Sequence, residues 1–400
     1  MYQFNPTHNT PVATGAFGNM HWGHAVSKDL LGWEQLPIAL VPDVGSCGGE
    51  WSGSATLNAP ATAGGNGGPV LSYAVQCNSA FGQAVLKKNP TADPLLLEWT
   101  ANNIVGHKAP KTGGFRDPST AWKGKDGVWR QLLACNGASC LYNSTDFKTW
   151  EFVDHAAGDA QGPTWEMPDV EPLIGGSFPD SLFYKVGMEN GTSYWTTGTF
   201  DETKNVFVVD AANGVKPLGD ATQRCDYGDF YSSKTFVGSP LGLTLIGWIG
   251  EEVTSPMKAW AGIQSIPRLV TWDPEHKGRV VFNPIAAVES LRIEDGSQVT
   301  WSAKTIGAGT SSAIGISAKR LDIHANFTGA FKTGARFGIK VRFYVCCLHF
   351  VVFLFAHHSP SPPPSLFLTS KGGTVRVPDS IRRHRDLHHC RRRFHGMGDA

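Results

Sequence analysis

The 400-residue sequence lacks any apolar run long enough to cross a bilayer as a helix. Such a helix needs roughly 18–20 consecutive apolar residues. The nearest stretch, residues 343–356, is shorter and is interrupted by His349. An excess of one charge is also missing, since 35 Lys and Arg residues face 34 Asp and Glu residues. We therefore expect neither a membrane nor a nucleic acid as a partner.

Patterns for metal binding and targeting are equally scarce. None of the eight cysteines belongs to a paired Cys-x-x-Cys array, so we expect no metal and no cofactor. Cys135 and Cys140 could bridge across a hairpin in an oxidising compartment or remain reduced, and the sequence leaves both states open. The first residues contain no basic segment followed by an apolar core, so no signal peptide is visible.

What the sequence does contain is a succession of short strand patterns. They are rich in β-branched and aromatic residues and are bounded by Gly, Pro, Asn or Asp. The clearest examples are residues 68–75, 127–135, 181–187, 192–200 and 244–250. No long segment of this region shows helical periodicity. The predicted fold class is therefore all-β.

Four polar clusters, each leading into an apolar strand, form a weak internal repeat. They are WSGSATL (51–57), FRDPSTAW (115–122), MPDVEPL (167–173) and YSSKTF (231–236), and their starts lie 64, 52 and 64 residues apart. Radial repetition at a comparable or slightly shorter period is typical of β-propeller blades. The clusters are predicted to begin the inner strands of the blades and to converge on one central funnel.

The composition changes twice along the chain. We predict a catalytic-type β-propeller domain over residues 1–282, a short helical linker with a partial β-sandwich over 283–342, and a low-complexity, disordered tail over 343–400. The tail contains the polyproline-like SPSPPPS, and its last 30 residues hold eight Lys and Arg against three acids.

Two carboxylates have settings that suit chemistry. Asp117 lies between Arg116 and Pro118, which restricts its backbone, and Arg116 offers rigid donors for sugar hydroxyls or a carboxylate. Glu166 lies between Trp165 and a methionine, an apolar frame that favours the protonated acid. On these residues alone, a turn-forming Asp and a solvated Glu are equally acceptable interpretations.

A set of ordered motifs makes the interpretation specific. The motifs are YQFNP (2–6), GNMHWGHAVSKDLLGWE (18–34), WSGSAT (51–56), FRDPS (115–119), WEMPD (165–169), DYGDFYSSKTF (226–236) and WAGIQSIPR (260–268). Over residues 2–342 the chain resembles glycoside hydrolase family 32, the β-fructofuranosidases, which include invertases and fructan exohydrolases. The resemblance implies a five-bladed β-propeller followed by a β-sandwich, and retaining hydrolysis of terminal β-fructofuranosides such as sucrose or short fructans.

The resemblance also implies roles for single residues. Glu166 corresponds to the general acid/base, Asp117 to the transition-state stabiliser, and Arg116 to the basic partner that orients the acid. The remaining positions that the resemblance assigns to substrate binding are Gln3, Phe17, Trp51, Ser52 and Asp226. Phe17 stands where a pocket tryptophan is usual, and Asp226 corresponds to a residue on the leaving-group side. The expected partner is a small carbohydrate.

One departure from the family bears on activity. The family's nucleophile is the aspartate of an Asn-Asp-Pro-Asn-Gly motif upstream of the YQFNP-type segment, and no such run occurs in this sequence. Retaining hydrolysis needs that second carboxylate, so the chain is expected to be impaired, and its first blade incomplete. The alternatives are a catalytically silent fructoside-binding propeller, a fructosyltransferase, or a product that does not fold independently. By family, the expected location is extracellular or vacuolar.

Overall fold

The computed structural model describes residues 1–6, 20–42, 49–75, 80–105, 115–158, 160–173, 180–189, 191–250 and 262–292, with short stretches between 300 and 357. The chain divides into two compact units, residues 1–291 and 292–400. Helical structure in the described residues is limited to 3-10 segments at Ala61–Ala63, Ala211–Asn213 and Ala286–Leu291. No helix in this described part has the length and apolar character that a bilayer crossing requires.

The first unit contains five antiparallel sheets in chain order. The first sheet comprises β1 (Tyr2–Phe4), β2 (His21–Val26) and β3 (Glu34–Leu40), and the second comprises β4 (Glu50–Thr56), β5 (Val70–Val75), β6 (Ala80–Leu86) and β7 (Trp99–Val105). The third comprises β8 (Trp122–Lys123), β9 (Trp129–Cys135), β10 (Ala138–Ser144) and β11 (Glu151–Gly158).

The fourth and fifth sheets complete a five-bladed propeller. The fourth comprises β12 (Trp165–Pro172), β13 (Leu182–Met188), β14 (Thr192–Asp201) and β15 (Val206–Val209). The fifth comprises β16 (Phe230–Phe236), β17 (Thr244–Ile249), β18 (Ile263–Gln264), β19 (Arg268–Trp272) and β20 (Val280–Pro284). The all-β, five-bladed prediction is confirmed, and the first sheet has three strands among the described residues.

Hydrophobic cores lie between consecutive sheets, because strand side chains alternate between the two faces. On β9, Leu133 packs towards the second sheet, with Phe81, whereas its neighbour Leu132 packs towards the fourth, with Val170. Every residue of β9 is buried for this reason. A simple polar–apolar alternation is absent from such strands, since both of their faces are covered.

The same one-residue bulge occurs in four sheets, either in the first strand or, in the third sheet, in the segment that precedes it. In β4, β12 and β16 the pairing register shifts at residues 50–53, 166–169 and 231–234. In the third sheet, Arg116 pairs with Ala134, and the Ser119 N–H bonds to the Leu132 carbonyl, so residues 116–119 bulge in the same way. Bulges of this kind redirect side chains and often lie beside active sites.

A disulfide joins Cys135 at the end of β9 to Cys140 in β10, and the structure thus selects the bridged alternative. The second unit contains β21 (Arg336–Phe337), β22 (Lys340–Val345), β23 (Leu348–Phe353) and β24 (Ala356–His357). The β22–β23 hairpin spans the predicted tail boundary at residue 343. Residues 358–400 lie outside the described residues, and the proposed domain boundaries stay predictions.

Candidate active site

The first strands of the sheets are bonded to one another around the centre of the propeller. The contacts are Gln3 Nε2 to the Glu50 carbonyl at 3.3 Å, Ser54 Oγ to the Pro118 carbonyl at 2.8 Å, Arg116 to Glu166, and Lys234 to Asp169. Each contact crosses from one sheet to the next in chain order. The bulged segments are therefore brought together, as the predicted convergence of the polar clusters requires.

Arg116 is the centre of the candidate site. Its Nε donates to Glu166 Oε1 at 3.1 Å, and its second terminal nitrogen contacts the same oxygen. That nitrogen also lies 3.1 Å from Glu189 Oε1, and Nε lies 3.9 Å from Asp117 Oδ2. One guanidinium thus lies within ion-pair distance of three carboxylates, and two of its nitrogens contact the same oxygen of Glu166.

Asp117 is held in a strained and buried position. Its φ of +54° lies in the left-handed region, where a non-glycine residue is uncommon. The residue is 6% exposed, and its Oδ2 accepts the Met167 N–H at 3.1 Å. Burial and the nearby Glu166 carboxylate raise the pKa of Asp117 to about 6, against the opposing effects of Arg116, the Met167 N–H and Lys234.

Glu166 is ion-paired rather than framed by apolar side chains. Its side chain retains 18% exposure and contacts Arg116, so the predicted apolar frame is not its main surrounding. Trp165 instead packs against the apolar cluster between the third and fourth sheets. There it lines a cavity of about 250 Å³ together with Tyr184 and Phe207. Trp165 is thus a partly buried packing residue, whereas Glu166 is partly exposed to solvent.

A second charged cluster lies beside the site and is almost sealed. Asp169 and Lys185 are completely buried and 3.2 Å apart, and Lys234 contacts the other oxygen of Asp169. The Thr235 N–H also bonds to Asp169 at 3.1 Å. Despite the cost of burial, the two ammonium groups hold the pKa of Asp169 below its ordinary value. Nearby Glu171 is also buried, and desolvation with the Asp169 charge raises its pKa to about 8.

The remaining predicted substrate residues divide into three groups. Gln3, Trp51 and Ser52 lie on β1 and β4, where the Trp51 carbonyl also accepts the Trp22 Nε1–H at 2.9 Å. Asp226 precedes β16 and forms a 2.6 Å ion pair with Arg268. Phe17 lies outside the described residues.

Sequence reasoning did not select Glu189, Lys185 or Asp169 as site residues. Lys185 carries a readable signal, since it is a lone charge within the apolar strand pattern SLFYKVG. Asp169 and Glu171 alternate along one strand and so share a face. Glu189 follows the end of β13 in a turn, where an exposed acid carries no such signal. No cluster of three or more His, Cys, Asp or Glu side chains suited to a metal occurs among the residues with described positions.

Comparisons with known proteins identify the family. The family model "Glycosyl hydrolases family 32 N-terminal domain" matches residues 1–284, and the chain belongs to this family. Beta-fructofuranosidase, insoluble isoenzyme 1, from Oryza sativa subsp. indica is 38% identical over 338 residues, covering 77% of this chain and 54% of the relative. The cell wall beta-fructofuranosidase isozyme of Pisum sativum is 31% identical, covering 82% and 61% respectively.

The solved structures give the same family. Fructan 1-exohydrolase IIa from Cichorium intybus aligns with a TM-score of 0.62 and 33% sequence identity, covering 73% of this chain and 56% of that one. The chain thus spans little more than half the length of the relatives it matches. The activity of the full-length relatives is therefore applied to this chain only as a proposal.

Proposed function

We propose that the centre of the propeller binds terminal β-fructofuranosides and that its carboxylates serve retaining hydrolysis. The observation that carries the proposal is the grouping of Asp117 and Glu166 around Arg116. Relatives support the substrate class, since a variant of the Cichorium intybus exohydrolase was solved with 1-kestose and a variant of a Bombyx mori β-fructofuranosidase with sucrose.

The two carboxylates are suited to different tasks. Glu166 is partly exposed, so it is the group that can reach the leaving oxygen and donate a proton to it, with Arg116 fixing its direction. Asp117 is buried and rigidly held by the Met167 N–H. As a carboxylate, it accepts hydroxyl hydrogens of the fructose ring and stabilises positive charge on the oxocarbenium-like transition state.

A further carboxylate is needed for the covalent step, and the 400-residue sequence contains no Asn-Asp-Pro-Asn-Gly run to supply one by the family pattern. We therefore propose that this chain by itself binds fructosides but cleaves them poorly. A silent binding propeller is the second candidate, and the missing motif is the observation that favours it. We also infer an extracellular location, since the relatives include a cell wall isozyme.

The test pairs binding with turnover. The chain is expected to bind fructose and sucrose saturably by calorimetry. A version extended at its N-terminus by an Asn-Asp-Pro-Asn-Gly segment is expected to release fructose from sucrose. Glu166→Gln in that version should lower kcat by about 10²–10⁴-fold, whereas Glu151→Gln on the exposed edge strand β11 should not. Absence of saturable binding would reject the proposal, and binding without release in the extended version would favour the silent propeller.

A further inference from the structure

The backbone of Met167 connects the candidate site to the buried charge cluster of Asp169, Lys185 and Lys234. Its N–H donates to Asp117 Oδ2 at 3.1 Å, and its carbonyl accepts Lys185 Nζ at 2.9 Å. Met167 directly follows Glu166, so this one residue contacts one carboxylate through its backbone and adjoins the other in sequence. Its φ of +49° is unfavourable for a residue with a side chain. Such a conformation persists only where neighbouring groups hold it in place.

Lys185 is placed to hold it. The side chain is completely buried, and its ammonium donates to the Met167 and Ser233 carbonyls and lies 3.2 Å from Asp169. These three acceptors use the three donors of the ammonium group. Met167 and Ser233 lie in the bulges of β12 and β16, so a single cation from β13 ties two bulges together.

We propose that Lys185 is a positioning residue for the Asp117–Glu166 pair. By binding the Met167 carbonyl, it restrains the backbone of the residue whose own N–H binds Asp117 and which directly follows Glu166. The expected effect of Lys185 on catalysis rests on the proposed function, whereas its expected effect on the Met167 backbone does not.

The charges around Asp117 and Lys185 determine the expected effect of removing Lys185. Asp117 faces Arg116 on its own strand, Glu166 on β12 and Lys234 on β16. Lys185 itself faces Asp169, Lys234 and Cys225. Removing Lys185 leaves Asp169 with Lys234 and the Thr235 N–H, so Asp169 retains a cation. The Met167 carbonyl, in contrast, loses its ammonium donor.

The experiment compares Lys185→Met with Lys234→Met in the full chain. Both variants take one ammonium from Asp169, but only the first removes the donor to Met167. Hydrogen exchange of the Met167 amide is expected to accelerate at least about tenfold in Lys185→Met and to change less than about twofold in Lys234→Met. Lys185→Arg, which keeps a cationic donor, should recover part of the protection. Equal exchange in both Met variants would overturn the proposal.

A second readout follows the carboxylate. In Lys185→Met, the pKa of Asp117 measured by carbon NMR is expected to rise by about one unit, since a weakened N–H bond stabilises the carboxylate less. If Lys185→Met does not fold, Lys185→Met with Asp169→Asn removes both completely buried charges and is compared with Asp169→Asn alone. An unchanged Asp117 pKa and unchanged Met167 exchange in that comparison would reject the proposal.

Turnover separates this inference from the proposed function. In the extended, fructose-releasing version, Lys185→Met should lower kcat by about tenfold or more with little change in KM. Slow exchange restored by Lys185→Arg without fructose release from any version would support the positioning role and count against the hydrolase. Fructose release that is insensitive to Lys185→Met would contradict the positioning role and leave the hydrolase standing.

Discussion

Asp117 and Asp169 are two buried aspartates at the bulges of neighbouring sheets, yet their protonation is shifted in opposite directions. The pKa of Asp117 is raised to about 6, whereas that of Asp169 is lowered. Asp117 shares one guanidinium, 3.9 Å away, with two other carboxylates. Asp169 contacts two ammonium groups directly. Burial alone therefore does not decide the direction of the shift, because nearby cations, other carboxylates and N–H donors also contribute.

The difference separates a group kept for chemistry from a group that holds the fold. An under-compensated carboxylate destabilises the folded chain but remains available to hydrogen-bond a ligand. A fully compensated carboxylate stabilises its neighbours and is not available to hydrogen-bond a ligand. Four substitutions test this contrast, beginning with the largest expected effect.

Asp169→Ala should cause the greatest loss of stability. It leaves the completely buried Lys185 without a counter-charge, and breaking a buried pair from one side costs about 3–5 kcal/mol. Urea denaturation at pH 7 measures the effect. The control is Asp180→Ala, which breaks the exposed pair with Lys125 and should cost less than about 1 kcal/mol. Similar costs for the two variants would remove the distinction between sealed and exposed charges.

Asp117→Asn should have the opposite effect and increase the stability of the folded chain. Because the pKa of Asp117 is raised from 3.8 to about 6, folding is penalised above pH 6, and the penalty disappears as the pH falls from about 6 to about 4. The variant should therefore be more stable than the native chain by about 1–3 kcal/mol at pH 8 and no more stable at pH 4. Denaturation at both pH values measures this.

Asp169→Asn serves as the matched comparison for that result. Its carboxylate has a lowered pKa, so it contributes stability above pH 4 that is lost as the pH falls through the folded-state value. The substitution should destabilise the chain at pH 8 and less so at acidic pH. If both Asn variants moved stability in the same direction at pH 8, the contrast between the two aspartates would be wrong.

The smallest effect is expected at Glu189. Glu189→Gln removes an exposed charge 3.1 Å from Arg116, which keeps its contacts with Glu166. The free energy of unfolding should change by less than about 1 kcal/mol. A loss as large as that of Asp169→Ala would show that Glu189 belongs to the supporting framework of the site.

Much of the fold is legible in the sequence because propeller strands are short and their ends are marked. The strands predicted at 127–135 and 192–200 lie at β9 and β14. The polar clusters could also be predicted from the sequence, since polar residues at the start of an otherwise apolar strand indicate a functional or structural role there. The exact register of the bulges is not, because it depends on pairing with a partner strand distant in sequence.

The candidate site is legible only in part. Asp117 and Glu166 stand in recognisable motifs, and the structure brings them to one arginine. The family resemblance predicted Arg116 as the partner of Glu166, whereas the apolar neighbours of Glu166 predicted an apolar frame. Those neighbours misled because side chains adjacent in a strand point to opposite faces. Lys185 contacts Met167 through sheet pairing, and the link to Ser233 joins residues 48 apart in the chain. Contacts of that kind arise only from the packing of whole sheets.

The shared bulge has one more consequence. Asp117, Met167 and Ser232 occupy it in three successive sheets with φ values of +54°, +49° and +46°. A carboxylic acid, a thioether and an alcohol thus occupy equivalent backbone positions with similar φ angles. A new functional group could therefore be introduced at the centre of the propeller by substitution at Met167 or Ser232. The backbone conformation that carries Asp117 is already present at both positions.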